Sequence, residues 1–166
     1  MKMSTRSEVV IARLQEQGLT LATAESCTGG LASSLVTDVP GSSEYLLGSA
    51  VTYSNMAKHK LINVSEESLE AYGAVSWQVA CEMAQGVSEL FGTTYGVGIT
   101  GIAGPGGATE DKPVGLVYMA VADADGVKWA KHVFGGTRTD NKMRSALTAI
   151  SMVIDRIKEK ETENKD

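Results

Sequence analysis

The stretch Leu19–Gly30 reads LTLATAESCTGG. Its first half, Leu19–Ala24, is short, uncharged and partly β-branched, the mark of a strand buried on both faces. Its second half carries a carboxylate, two hydroxyls and a thiol into a turn closed by two glycines. A helix is predicted from about Thr28 through Val36, ended by Pro40-Gly41. A doubly buried strand that feeds straight into a helix is the repeating unit of an α/β layer structure.

The same alternation continues on both sides. Upstream, Val9, Val10 and Leu14, with Ala12 or Arg13, suit one apolar face of a helix, with Ser4 or Ser7 as its cap and Gly18 as its stop. Downstream, Tyr45–Tyr53 reads as a strand. Residues 54–72 read as two short helices broken near Asn63-Val64-Ser65, with Ser65 as a cap. From Ser76 to Phe91 apolar residues recur at helical spacing, and Tyr95–Gly101 is another apolar run. Val114–Ala122 and Val127–Phe134 flank Asp123-Ala124-Asp125-Gly126, a hairpin signal. A last helix from about Thr139 to Lys158 carries Met143, Leu147, Ile150, Ile154 and Ile157 on one stripe. Together these predict an α/β fold: a single three-layer α/β/α domain over residues 1–158, with a mixed sheet and one C-terminal β-hairpin. Residues 159–166 are predicted to be a charged, disordered tail. The loops at 24–30 and 98–107 each follow a predicted core strand, where ligands collect in such sheets.

Composition narrows the classes of function. A chain of 166 residues and 17.5 kDa buries roughly 68–70% of its unfolded surface and needs no disulfide or structural metal. Fifteen basic against 20 acidic side chains, a net charge of −5, argue against a protein held on nucleic acid by general electrostatics. The two cysteines, Cys27 and Cys81, make no disulfide framework. The opening residues are amphipathic and broken by charges, unlike a signal peptide or membrane span. A reduced, cytoplasmic protein without a membrane partner is expected. Glycine is the outlier, with 18 residues against a usual share of about 7%; such an excess marks tight turns and close backbone approach.

The chemistry centres on Ser26. One reading makes Ser26 or Thr28 a helix cap. The other makes Ser26 a nucleophile at a helix mouth, with N–H groups near Cys27–Gly30 available to an oxyanion. A serine needs a base, and neither His59 nor His132 sits in a motif that presents one. Lys58 follows a strand end, three residues after Asn55 and on its helical face, with Lys60 as a rival. An ordinary lysine, with a pKa of about 10.4, is neutral in only about one molecule in a thousand near pH 7.4. A lysine base must therefore be depressed to about 7–8 by burial, at a cost of roughly 3–5 kcal/mol. Tyr53 could relay the proton or orient the amine, or simply end a strand. A rival scheme uses Cys27 as nucleophile and Glu25 as base. The glycine-rich loop Gly98–Gly107 is not a P-loop, but its N–H groups could face an anion or a carboxamide. Arg138 could bind a phosphate bidentately. No Cys, His and carboxylate set has metal spacing.

In order and spacing, TAESCTGG, GSAVTYSNMAK, GAVS, GITGIAGPGG and KPVG closely resemble the CinA C-terminal domain family, from about residue 5 to 158. The chain looks like a free-standing form without the larger N-terminal domain some members carry. The resemblance implies nicotinamide mononucleotide deamidase activity, with Ser26 as nucleophile, Tyr53 and Lys58 as activating partners, and no cofactor. Thr28, Gly29, Gly30, Asn55, Gly101, Ala103, Gly104 and Arg138 are then expected to face a small nucleotide substrate. A homo-oligomer is expected too. Two positions depart from the family pattern: Asn63-Val64, where members often carry Gly-Val, and Thr137, where an acidic residue commonly precedes the arginine.

Overall fold

The computed structural model describes residues 3–166. The helices are α1 (Met3–Gln17), α2 (Leu31–Thr37), α3 (Asn55–Ile62), α4 (Glu66–Tyr72), α5 (Trp77–Phe91) and α6 (Arg138–Glu163). The strands are β1 (Leu21–Glu25), β2 (Leu46–Val51), β3 (Tyr95–Gly101), β4 (Leu116–Asp123) and β5 (Gly126–Val133). They form one mixed sheet in the order β2-β1-β3-β4-β5. β1 runs parallel to β2 and β3, whereas β4 is antiparallel to both β3 and β5. β4 and β5 are the expected hairpin.

Side-chain alternation sorts the sheet into two unlike faces. Val97, Ile99, Val117, Met119 and Val121 point towards α1, α2 and α6 and build the larger core. The opposite face is almost bare. Ala22 and Ala24 pack with α3 and α5, and Ala120 and Ala122 with Ala80 and Ala84 of α5. Gly96 and Gly98 belong to the same face, and a Cβ on either would collide with the Ala84 or Ala80 carbonyl oxygen. Small residues thus let α5 lie directly on the strands.

Three helices open on side-chain caps, of which Ser65 was the one expected. Ser65, Ser76 and Thr137 accept from Ser68, Val79 and Asp140 N–H groups, and Thr137 with Asp140 completes a capping box. Thr137, the departure from the family pattern, is therefore the cap of α6. Asn63, the other departure, ends α3 in the left-handed region at φ 60°, a conformation asparagine tolerates. Other expectations are corrected. Ser4 and Ser7 lie inside α1, so neither is its cap. α2 begins at Leu31, not Thr28, because Gly29 and Gly30 hold the preceding turn open. The tail expected to be disordered from residue 159 is helical to Glu163. Glu161 accepts from Arg13 and Gln17 of α1, so polar contacts carry the helix beyond its last apolar turn.

Candidate active site

β1 ends at Glu25, and the chain leaves the sheet at Ser26. The Ser26 N–H donates to the Ile99 carbonyl on β3 at 2.9 Å, and its own carbonyl accepts from the Gly29 N–H at 3.1 Å. Gly30 then turns the chain into α2 at φ 102°, backbone that a side chain would strain. Ser26 is thereby presented at the carboxyl ends of the parallel strands.

Lys58 approaches from α3, which starts where the chain leaves β2 and is capped by Ser54. Its side chain is 1% exposed. The amine is 2.9 Å from Ser26 Oγ and donates to the Thr52 carbonyl at 2.7 Å. No carboxylate pairs with it among the described residues. Burial without a counter-charge pushes its pKa down to about 8, despite a small opposing pull from Cys27. A neutral amine has two N–H bonds and one lone pair. With Thr52 taking one N–H, the lone pair can face the serine hydroxyl.

The rival assignments fall on geometry. Burial pushes the Cys27 thiol up to about 12, so it is no thiolate nucleophile near neutrality. Glu25 has both oxygens engaged by Thr28 Oγ1 and the N–H groups of Ala32 and Ser33, so it is no base. Those contacts also overturn the capping reading of Ser26 and Thr28: Glu25 caps α2 from the strand before it. His59 Nδ1 lies 2.8 Å from the Val64 carbonyl. Lys60, the positional rival of Lys58, is exposed.

A cleft of about 270 Å³ opens above the pair. Of the expected residues, Ser26, Tyr53 and Lys58 line it, as do Gly101, Ala103, Gly104 and Arg138. Thr28, Gly29, Gly30 and Asn55 do not. Thr28 is turned inward to Glu25, the two glycines shape the turn, and Asn55 borders a separate groove between α3 and α4. Tyr53 also differs from expectation. It is 62% exposed, and its hydroxyl accepts from Arg138 at 3.1 Å instead of meeting the lysine amine. Arg138 donates in addition to the Gly104 carbonyl at 2.8 Å.

Several contributors were not singled out beforehand. Thr52 acts through its carbonyl, which no side-chain motif announces. Asn141 is buried one turn along α6 from Arg138. It donates to the carbonyls of Ala103 and Gly136 and accepts from the Gly136 N–H, tying the glycine loop to the helix start. Thr100 donates to the Ala74 carbonyl and ties β3 to the α4–α5 connection that forms the far wall. Among the described residues no group of three or more His, Cys, Asp or Glu side chains could hold a metal ion, and no helix is long and apolar enough to cross a membrane.

Fold and site together define a three-layer α/β/α protein with a lysine-paired serine at the carboxyl ends of its parallel strands. The chain belongs to the CinA C-terminal domain family, which matches residues 3–157. It is 49% identical to a CinA-like protein of Syntrophomonas wolfei over 149 residues, 90% of this chain and 36% of that protein. A CinA-like protein of Chlorobaculum tepidum is also 49% identical, over 95% of this chain and 38% of its own length. The chain thus spans little more than a third of these curated relatives. Among solved structures, the competence/damage inducible protein CihA of Agrobacterium tumefaciens superposes with a TM-score of 0.90 at 38% identity, covering 92% of this chain and 94% of that one. A CinA superfamily protein of Klebsiella pneumoniae gives 0.92 at 26% identity, covering 96% and 99%.

Proposed function

We propose that this chain is an amidohydrolase that converts nicotinamide mononucleotide to nicotinate mononucleotide and ammonia. The observation that carries the reading is the 2.9 Å contact between Ser26 Oγ and the buried Lys58 amine. Ser26 Oγ attacks the carboxamide carbon while its proton passes to neutral Lys58. Of the N–H groups in this turn, that of Cys27, which lines the cleft, has no other residue as a hydrogen-bond partner among the described residues and is the donor open to the oxyanion. As the tetrahedral adduct collapses, the C–N bond breaks and Lys58 returns the proton to the departing nitrogen, so ammonia leaves. Water then attacks the Ser26 ester and gives a proton to Lys58; as the bond between the acyl carbon and Oγ breaks, Lys58 returns that proton to Ser26 Oγ and the carboxylic acid is freed.

Arg138 uses two of its five N–H groups on Gly104 and Tyr53, leaving donors for a phosphate at the cleft mouth. Tyr53 then enters as a substrate-facing hydroxyl beside Arg138. A non-catalytic binding module from the same family is the competing view. It calls for a solvated Lys58 remote from Ser26, the opposite of the observed placement.

Purified protein mixed with nicotinamide mononucleotide should release ammonia and give a product heavier by about one dalton. Ser26→Ala and Lys58→Met should each lower kcat by at least about a thousandfold, the scale of losing a nucleophile or its base. Wild-type turnover matched by Ser26→Ala would remove the serine from the chemistry, and an inert wild type across pH would favour the binding module.

A further inference from the structure

Glu25 is a buried carboxylate that the mechanism leaves unused. It is 0% exposed and lies one residue before Ser26. Its Oε1 accepts from Thr28 Oγ1 and from the Ala32 N–H, both at 2.7 Å. Its Oε2 accepts from the Ser33 N–H at 3.0 Å, from Thr23 Oγ1 at 3.2 Å and from Ser49 Oγ on β2 at 3.5 Å. Burying a carboxylate is expensive unless it is fully hydrogen-bonded, and this one is served by five donors from four places: its own strand, β2, the turn and the first helical residues. The N-cap position, Gly30, has no side chain to do that work. The contacts of Glu25 span the segment 26–30, which carries the serine and the Cys27 N–H open to an oxyanion.

We propose that Glu25 is the positioning residue of this site: it locks the 26–30 turn so that Ser26 Oγ stays within proton-transfer distance of Lys58. This rests on the amidase reading above. The physical case is leverage. Gly29 and Gly30 make the turn geometrically possible but also flexible, and apart from its contact with Lys58, Ser26 is anchored through its backbone. The carboxylate removes that freedom by joining both ends of the turn to one buried point. Carboxylate chemistry is required because all five partners approach as donors. A glutamine in its place would aim an NH2 group at the Ala32 or the Ser33 N–H, whichever way the amide is turned.

The test compares Glu25→Gln with wild type and Ser26→Ala. The readouts are kcat and KM for nicotinamide mononucleotide, affinity for the product nicotinate mononucleotide, and thermal melting. The expected result is a kcat about a hundredfold lower, the usual consequence of misplacing a reacting group by an ångström, with KM and product affinity within about threefold of wild type. A residue that only stabilised the fold would lower the melting temperature and leave kcat per folded molecule intact, and that outcome would overturn the proposal. Should Glu25→Gln not fold, Thr28→Val removes a single donor from Oε1 and keeps the shape. It should lower kcat about tenfold at unchanged KM, and a wild-type kcat there would overturn the proposal equally. An inert wild type, or Ser26→Ala as fast as wild type, would instead fell the amidase reading itself.

Discussion

A lysine amine held out of water loses the solvation that favours its charged form, and Lys58 is displaced from 10.5 to about 8 for that reason. At pH 7.4 roughly a fifth of the molecules then carry a neutral amine, against about one in a thousand for a solvated lysine. Activity should accordingly rise about tenfold per pH unit below pH 8 and level off above it; a profile flat from pH 6 to 9 would exclude Lys58 as base. Stability should follow the same group. Below pH 8 the native and unfolded chains are both protonated, and the buried charge costs about 3 kcal/mol. Between about 8 and 10.5 the unfolded chain binds more protons than the native one, so stability rises with pH. Denaturant titrations should show this rise in wild type and lose it in Lys58→Met. Lys58 was legible as a candidate because a lysine just past a strand end is conspicuous where neither histidine sits in a motif that presents a base. Its burial was not, since nothing in the neighbouring Met56, His59 or Lys60 tells which side chain turns inward.

Helix α5 lies closer to the sheet than ordinary side chains permit, and the sites that allow it are Gly96, Gly98, Ala120 and Ala122. Gly98→Ala should destabilise the protein by about 2–3 kcal/mol, read as a lower denaturation midpoint in urea, because the Ala80 carbonyl oxygen occupies the added methyl's place. A midpoint unchanged within error would mean α5 can move away at little cost. The periodicity of α5 and the span of β3 were both readable, since apolar spacing reports local geometry. The start of α2 was not. The expected caps, Ser26 and Thr28, are close in sequence to the helix start, whereas Glu25 reaches it from the end of β1. Capping rules describe neighbours along the chain, and this cap works across a turn.

The mixed sheet gathers segments from the whole chain into one cleft: β1, the α3 start, the loop after β3 and the first turn of α6. The far end of α6 has no part in that cleft. It is held by Glu161 against Arg13 and Gln17, by Lys160 against Asp125 of the hairpin, and by Glu159 on buried Arg156. Truncation after Lys158 should therefore cost about 1–3 kcal/mol, several ion pairs being lost together, seen as a lower melting temperature, with kcat unchanged. A large loss of activity would reveal a longer-range role for that turn. The amino-acid order by itself determined the helices, the strands, the hairpin and the serine turn, because apolar period, glycine and turn chemistry act over a few residues. Which amine meets that serine, that Tyr53 turns to Arg138, and that Glu25 rather than a hydroxyl holds α2 were decided only by the folded chain. Those outcomes depend on which face of each element is buried and on contacts between residues tens of positions apart, quantities that local pattern does not encode.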